Sequence, residues 1–150
     1  MDLLLWRHAE ALDGVPDADR PLTDRGRHQA RHMADWLANN QPPGLRVLAS
    51  PTLRTRMTAE ALTDDYHIDE RIGTGASATD IVAASGWPNA PSAVLIVGHQ
   101  PTLGQLAALL VSGHAANWSV KKGALWWLRS RVRNHRSEVV LWAVLPAELC

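Results

Sequence analysis

Two short apolar runs in this chain end in histidine. Leu3–Trp6 leads into Arg7–His8, and Ala93–Val97 leads into Gly98–His99. Continuous apolar runs of this length read as strands buried on both faces. Open α/β sheets bind ligands beyond the carboxyl ends of their strands, so both imidazoles are expected at that edge. Each alone could be a polar residue where a strand surfaces. Arg54 adds a third feature. It falls in the first turn of a helix expected after Ser50–Pro51, with Arg56 close behind. A cation there opposes the positive end of the helix dipole, at a cost of about 0.3–1 kcal/mol. The placement makes sense if an anion lies in front of it, since helix N-termini already present free N–H groups to phosphate. It could also be a solvated arginine, or one paired with Glu60 or with an acid in Glu10–Asp24.

Together these residues describe one reaction. Arg7 and Arg54 are the residue type for bidentate grips on phosphate oxygens. With His99 they would surround a phosphoryl group, and His8 would attack it as a covalent nucleophile. The attacking imidazole must be neutral, a form that neighbouring guanidinium groups favour. Its second nitrogen needs an acceptor, such as a backbone carbonyl, to fix the tautomer. Charge on the transferring oxygens would be met by fixed cations and N–H donors.

The elements that must hold these residues can be read from periodicity and punctuation. Thr23 offers an N-cap, with Asp24 in the first turn, and Ala30, Met33, Ala34 and Leu37 follow at helical spacing. That helix ends at Asn39–Asn40, before Pro42–Pro43–Gly44. Leu45–Ala49 is a second strand. Ser50 is expected to cap the next helix with Pro51 at its first position, and Leu53, Met57 and Ala61 form its apolar face. Tyr66–Asp69 reads as a short strand, and Ser77–Ser85 as a helix ended by Gly86. After His99 comes a helix with Leu103, Leu106, Ala107 and Leu110 on one face and Gly113 as terminator. Strands around Gly123–Leu128 and Glu138–Val144 are expected to close the chain as an antiparallel hairpin at an edge. Loops are expected at Glu10–Leu22, Asn39–Gly44, Trp87–Pro91 and Arg129–Arg136. The alternation predicts one α/β domain, a layered sandwich with a mixed, mostly parallel central sheet and helices on both faces.

Composition bounds the remainder. The chain has 150 residues, 46% hydrophobic and 20% charged, which excludes disordered and low-complexity classes. Fifteen basic residues balance fifteen acidic ones, so no net charge draws the chain to nucleic acid or a membrane surface. The one cysteine, Cys150, can form neither an internal disulfide nor a Cys-based zinc site. No apolar stretch approaches the ~20 residues that span a bilayer, and no signal peptide is recognisable. A cytoplasmic location is expected.

The ordered motifs resemble a known family. Leu5–Trp6–Arg7–His8–Ala9–Glu10, Arg20–Pro21–Leu22–Thr23 with Gly26, Ser50–Pro51–Thr52–Leu53–Arg54 with Thr58–Ala59–Glu60, and Val97–Gly98–His99–Gln100–Pro101 are similar to the histidine phosphatase superfamily, which includes the phosphoglycerate mutases. Met33–Leu37 and Lys121–Ala124 further resemble its small SixA-type branch of phosphohistidine phosphatases. The resemblance implies a phosphoglycerate mutase-like fold with transient phosphorylation of His8. It also implies phosphoryl binding by Arg7, Arg54 and His99, and neither metal nor organic cofactor. Ala9 departs from a common glycine and Met57 from a common glutamine. Mutase-like relatives carry a glutamate as general acid. Asp69 and Glu70 lie in that neighbourhood and Glu10 lies near the nucleophile, so the role stays open among the three.

Residues 51 to 92 must hold a helix, a strand and a second helix, which leaves little for a lid. An uncovered site admits a phosphorylated side chain on another protein, and holds small molecules poorly. Taken with the SixA-type resemblance, which implies phosphohistidine, the expected substrate is phosphohistidine on a protein partner, as in signal transduction. A phosphomonoesterase for a small metabolite and a phosphate-binding module without turnover are the alternatives. Other features read as structural. His28 and His32, four apart, share a solvated helix face with Arg31 and Asp35. The six basic residues between Lys121 and Arg136 lack a nucleic-acid recognition motif and read as a charged hairpin. Lys121 or Lys122 could help dock an acidic partner.

Overall fold

A computed structural model describes residues 1–150. Six strands form one sheet: β1 (Asp2–Arg7), β2 (Arg46–Ala49), β3 (His67–Ile68), β4 (Val94–Gly98), β5 (Leu125–Arg133) and β6 (Arg136–Leu145). Their spatial order is β3-β2-β4-β1-β5-β6. The first four run parallel, while β5 is antiparallel to β1 and β6 to β5. β1 and β4 are neighbours at the centre, with Arg7 opposite Gly98 in register. Their apolar runs are buried from end to end, as strands covered on both faces require.

Helices cover both faces. On one lie α1 (Asp24–Asn40) and α2 (Leu53–Glu60), which bury Ala30, Met33, Leu37 and Ala59 against Leu4, Trp6, Leu95 and Val97. On the other lie α3 (Ala78–Ser85) and α4 (Thr102–Ser112), which bury Ile81, Leu103 and Leu106 against Leu3, Leu5, Val94 and Ile96. The strand alternation thus splits the core into two halves, one behind each face. Thr23 caps α1 by accepting from the Gly26 N–H, and Ser77 and Asp80 form a capping box at α3. Gly86 and Gly113 end α3 and α4 in the left-handed conformation that glycine adopts without steric cost. No helix is long and apolar enough to cross a membrane.

Three local expectations are corrected. α2 buries Arg54, Thr55, Thr58 and Ala59, while Leu53 and Met57 are only half-buried and Ala61 is exposed. Ser50 does not cap α2, which begins at Leu53 with Thr52 in the cap position and no side-chain cap bond. The Ser50 N–H is still in the sheet, donating to Val97 O, and its hydroxyl goes to a buried imidazole instead. Arg129–Arg136 is no loop. β5 and β6 continue to Arg133 and from Arg136, and only Asn134 and His135 turn the chain, both at positive φ. Cross-strand pairing, including Arg131 with Glu138, carries the charged residues into a ladder that their polarity alone conceals. Residues 51 to 92 hold α2, β3 and α3 with short turns, and no element there forms a lid.

Candidate active site

The carboxyl ends of β1 and β4 bring His8 and His99 together, with ring centroids 5.4 Å apart. Adjacent parallel strands in fixed register dictate this spacing: the His8 N–H donates to Gly98 O, which continues the ladder one step beyond β1. Both residues are buried, His8 at 7% exposure and His99 at 6%. The loop before β5 closes the other side, where the Gly123 N–H donates to Arg7 O and His8 O.

Each imidazole has one nitrogen committed. His8 Nδ1 lies 2.7 Å from Ala9 O. A carbonyl only accepts, so Nδ1 carries the hydrogen and Nε2 keeps the lone pair. His99 Nε2 lies 2.7 Å from the Ser50 hydroxyl, which leaves Nδ1 free. Burial pushes the His8 pKa down to about 4. The Ala9 hydrogen bond offsets part of that shift, and the Arg54, Arg7 and Arg20 charges add to it. Burial likewise pushes His99 down to about 3, reinforced by His8, Arg54 and Arg7 and opposed by Asp17. Both rings are therefore neutral at physiological pH.

The guanidinium groups are held from opposite sides. Arg7 Nη1 donates to Val120 O at 2.8 Å, while its Nε is buried without a partner. Burial lowers the Arg7 pKa from its ordinary value. Arg54 stands in the first turn of α2 and is itself buried, again with an unpartnered Nε. Thr58 ties that helix to the nucleophile strand: its hydroxyl donates to Arg54 O and accepts from the Ala9 N–H at 3.1 Å. The structure thus gathers Arg7, His8, Arg54 and His99 within electrostatic reach of one another. Fixed cations, two neutral imidazoles and unpartnered N–H groups suit one tetrahedral dianion.

None of the three acids named for proton donation hydrogen-bonds to Arg7, His8, Arg54 or His99. The Glu10 carboxylate accepts from the Thr23 hydroxyl at 2.8 Å. Asp69 caps the turn Glu70–Ile72 and binds Arg71, whose guanidinium holds it below the usual carboxylate range. Glu70 is exposed in that turn. The carboxylate that does reach the site is Asp17, on the strap between Glu10 and Leu22. Arg54 Nη1 donates to Asp17 O at 2.9 Å and Nη2 to Asp17 Oδ2 at 3.1 Å. Arg20 Nη1 donates to Asp17 Oδ1 at 3.1 Å. The sequence signalled such a pair only as an acid somewhere in Glu10–Asp24, because a contact across 37 residues leaves no local periodicity. Arg20 and Ser50 were missed for the same reason. A cavity of about 780 Å³ lies beside Met1 at the other end of β1 and includes none of these residues.

A profile of the histidine phosphatase superfamily (branch 1) matches residues 3–73. Phosphohistidine phosphatase SixA of Escherichia coli is 33% identical over 122 residues, covering 75% of this chain and 76% of that protein. An uncharacterised protein of Picosynechococcus is 34% identical across 97% of both chains. Among solved structures, a chain from Nakamurella multipartitia assigned as SixA matches 97% of this chain and 95% of its own, at 27% identity and TM-score 0.78. A protein histidine phosphatase SixA complexed with tungstate shares the fold at TM-score 0.77 and 24% identity, covering 98% and 97% of the two chains. With relatedness this extensive along both sequence and backbone, the chain belongs to the histidine phosphatase superfamily.

Proposed function

We propose that this protein hydrolyses phosphohistidine on a partner protein through a phosphorylated His8. The observation that carries the reading is the His8 ring: buried, neutral, and fixed by Ala9 O so that Nε2 is the free nucleophile. Arg7, Arg54 and His99 Nδ1 hold the phosphoryl oxygens. The His8 Nε2 lone pair forms a bond to phosphorus, and the substrate P–N bond breaks with its electron pair going to the substrate imidazole. The substrate ring arrives with a proton on its second nitrogen, so it leaves as neutral imidazole. Phospho-His8 keeps its Nδ1 hydrogen. Water then attacks phosphorus, the pair returns to Nε2, and dihydrogen phosphate departs.

The charge state of the mouth favours this substrate over an alkyl ester. Arg54 holds the Asp17 carboxyl below its usual range, so the carboxylate at the site carries no proton to give an alkoxide. Imidazole brings its own. The absence of a lid element fits a side chain presented by another protein. The relative named phosphohistidine phosphatase, at 33% identity, supports the same substrate class.

The test is a mass measurement after brief, acid-free quenching with a phosphohistidine protein. It is expected to find phosphate on His8 of the native chain, and His8→Ala is expected to release no phosphate while staying folded. Undiminished turnover by that variant, or phosphate on another residue, refutes the mechanism.

A further inference from the structure

The strap between Glu10 and Leu22 carries a carboxylate that the reaction above does not use. Attack comes from His8, which is buried, so in-line transfer sends the leaving group toward solvent. Asp17 stands at the solvent surface beside the buried Arg54: its side chain is 58% exposed, while the arginine side chain it contacts is 6% exposed. Two cations fix it, Arg54 through Oδ2 and Arg20 through Oδ1, and Arg20 is anchored in turn by Leu12 O at 2.8 Å. Each carboxylate oxygen keeps a free lone pair.

We propose that Asp17 is a specificity-determining residue that selects leaving groups departing from a protonated nitrogen, above all the imidazolium of phosphohistidine, against leaving groups that depart as anions. The inference rests on the proposed phosphohistidine hydrolysis. A reactive phosphoimidazole carries positive charge and an N–H on its distal nitrogen. A fixed carboxylate at the mouth accepts that hydrogen bond and stabilises the cationic form. It stays ionised throughout and moves no proton. The neutral imidazole then departs with the electron pair of the broken P–N bond. A leaving group that builds negative charge meets repulsion at the same place. Charge counting agrees. Arg7, Arg20 and Arg54 less Asp17 leave two positive charges, which one phosphoryl dianion neutralises, so no cation is spare for an anionic leaving group.

The experiment compares kcat/KM for a phosphohistidine peptide and for p-nitrophenyl phosphate, in the native chain and in Asp17→Asn. Nitrophenolate leaves readily without an acid but leaves as an anion. The native chain is read first, and no turnover of the phosphohistidine peptide sinks the functional reading and this inference with it. In Asp17→Asn the ratio of phosphohistidine to nitrophenyl activity is expected to fall about tenfold or more, the effect of one hydrogen bond to a charged group. Asp17→Glu, which restores the charge, is expected to recover part of that ratio. Thermal unfolding confirms that each variant is folded. A smaller fall, or equal losses on both substrates, overturns the inference and leaves Asp17 as a support for Arg54.

Discussion

Arg54 is the residue where position and function conflict most openly. It opposes the helix dipole, is buried, and still has an unpartnered Nε. In the proposed mechanism that strain is relieved by the phosphoryl group. Arg54→Ala is expected to cost about 3 kcal/mol of transition-state stabilisation, on the scale of losing a fixed electrostatic donor. Steady-state kcat/KM measures it, and a change of a few-fold contradicts the assignment. Ser50 acts on the other imidazole. Ser50→Ala leaves His99 Nε2 buried without its partner, at a cost of about 1–3 kcal/mol in stability. Denaturant unfolding reads that loss, and kcat/KM is expected to fall with it as the ring loses its orientation. The pH profile follows from His8, whose pKa is pushed down to about 4. As the attacking ring must be neutral, protonation of His8 is expected to cut kcat/KM only as pH falls toward that value, with no acid limb in the ordinary imidazole range. An acid limb at ordinary imidazole values contradicts it.

At the scale of elements, α1 packs hard against the strap that follows the nucleophile. A Cβ at Gly26 would collide with Glu10 O, which also accepts from the Thr23 N–H that opens the helix. An interior helix glycine would ordinarily gain ~1 kcal/mol on replacement by alanine. Here Gly26→Ala is expected to destabilise by about 1–3 kcal/mol, the range for overpacking, as thermal unfolding would show. Elements of this kind were largely legible in the sequence. Thr23, Ser77, Gly86 and Gly113 punctuate their helices through local backbone chemistry, and the apolar runs of β1 and β4 reflect burial on both faces. What stayed hidden depends on distant partners. Ser50 looks like a cap until His99 is beside it, and Arg129–Arg136 looks like a loop until β6 pairs with it. Asp17 shows no signal of its own, since its meaning comes wholly from Arg54 and Arg20. The candidate set Arg7, His8, Arg54 and His99 was readable because each stands at an element end, where the fold rule itself says ligands bind.

For the molecule as a whole, keeping two imidazoles neutral carries a linked dependence on acidity. The unfolded chain protonates both rings near their ordinary value of 6.5, whereas the folded chain resists to about 4 for His8 and about 3 for His99. The unfolded state therefore binds more protons in that window. Stability is whole above 6.5 and declines as pH falls toward about 4. Chemical denaturation across this range is expected to show the decline, and His8→Ala is expected to lessen it while the share due to His99 remains. The central register has a further consequence. Arg7 stands opposite Gly98, and side chains alternate across a sheet. A slip of one position between β1 and β4 would turn one imidazole away from the other. Turnover thus reports strand alignment in an all-or-none way: damaged molecules fall silent instead of acquiring a relaxed or altered chemistry.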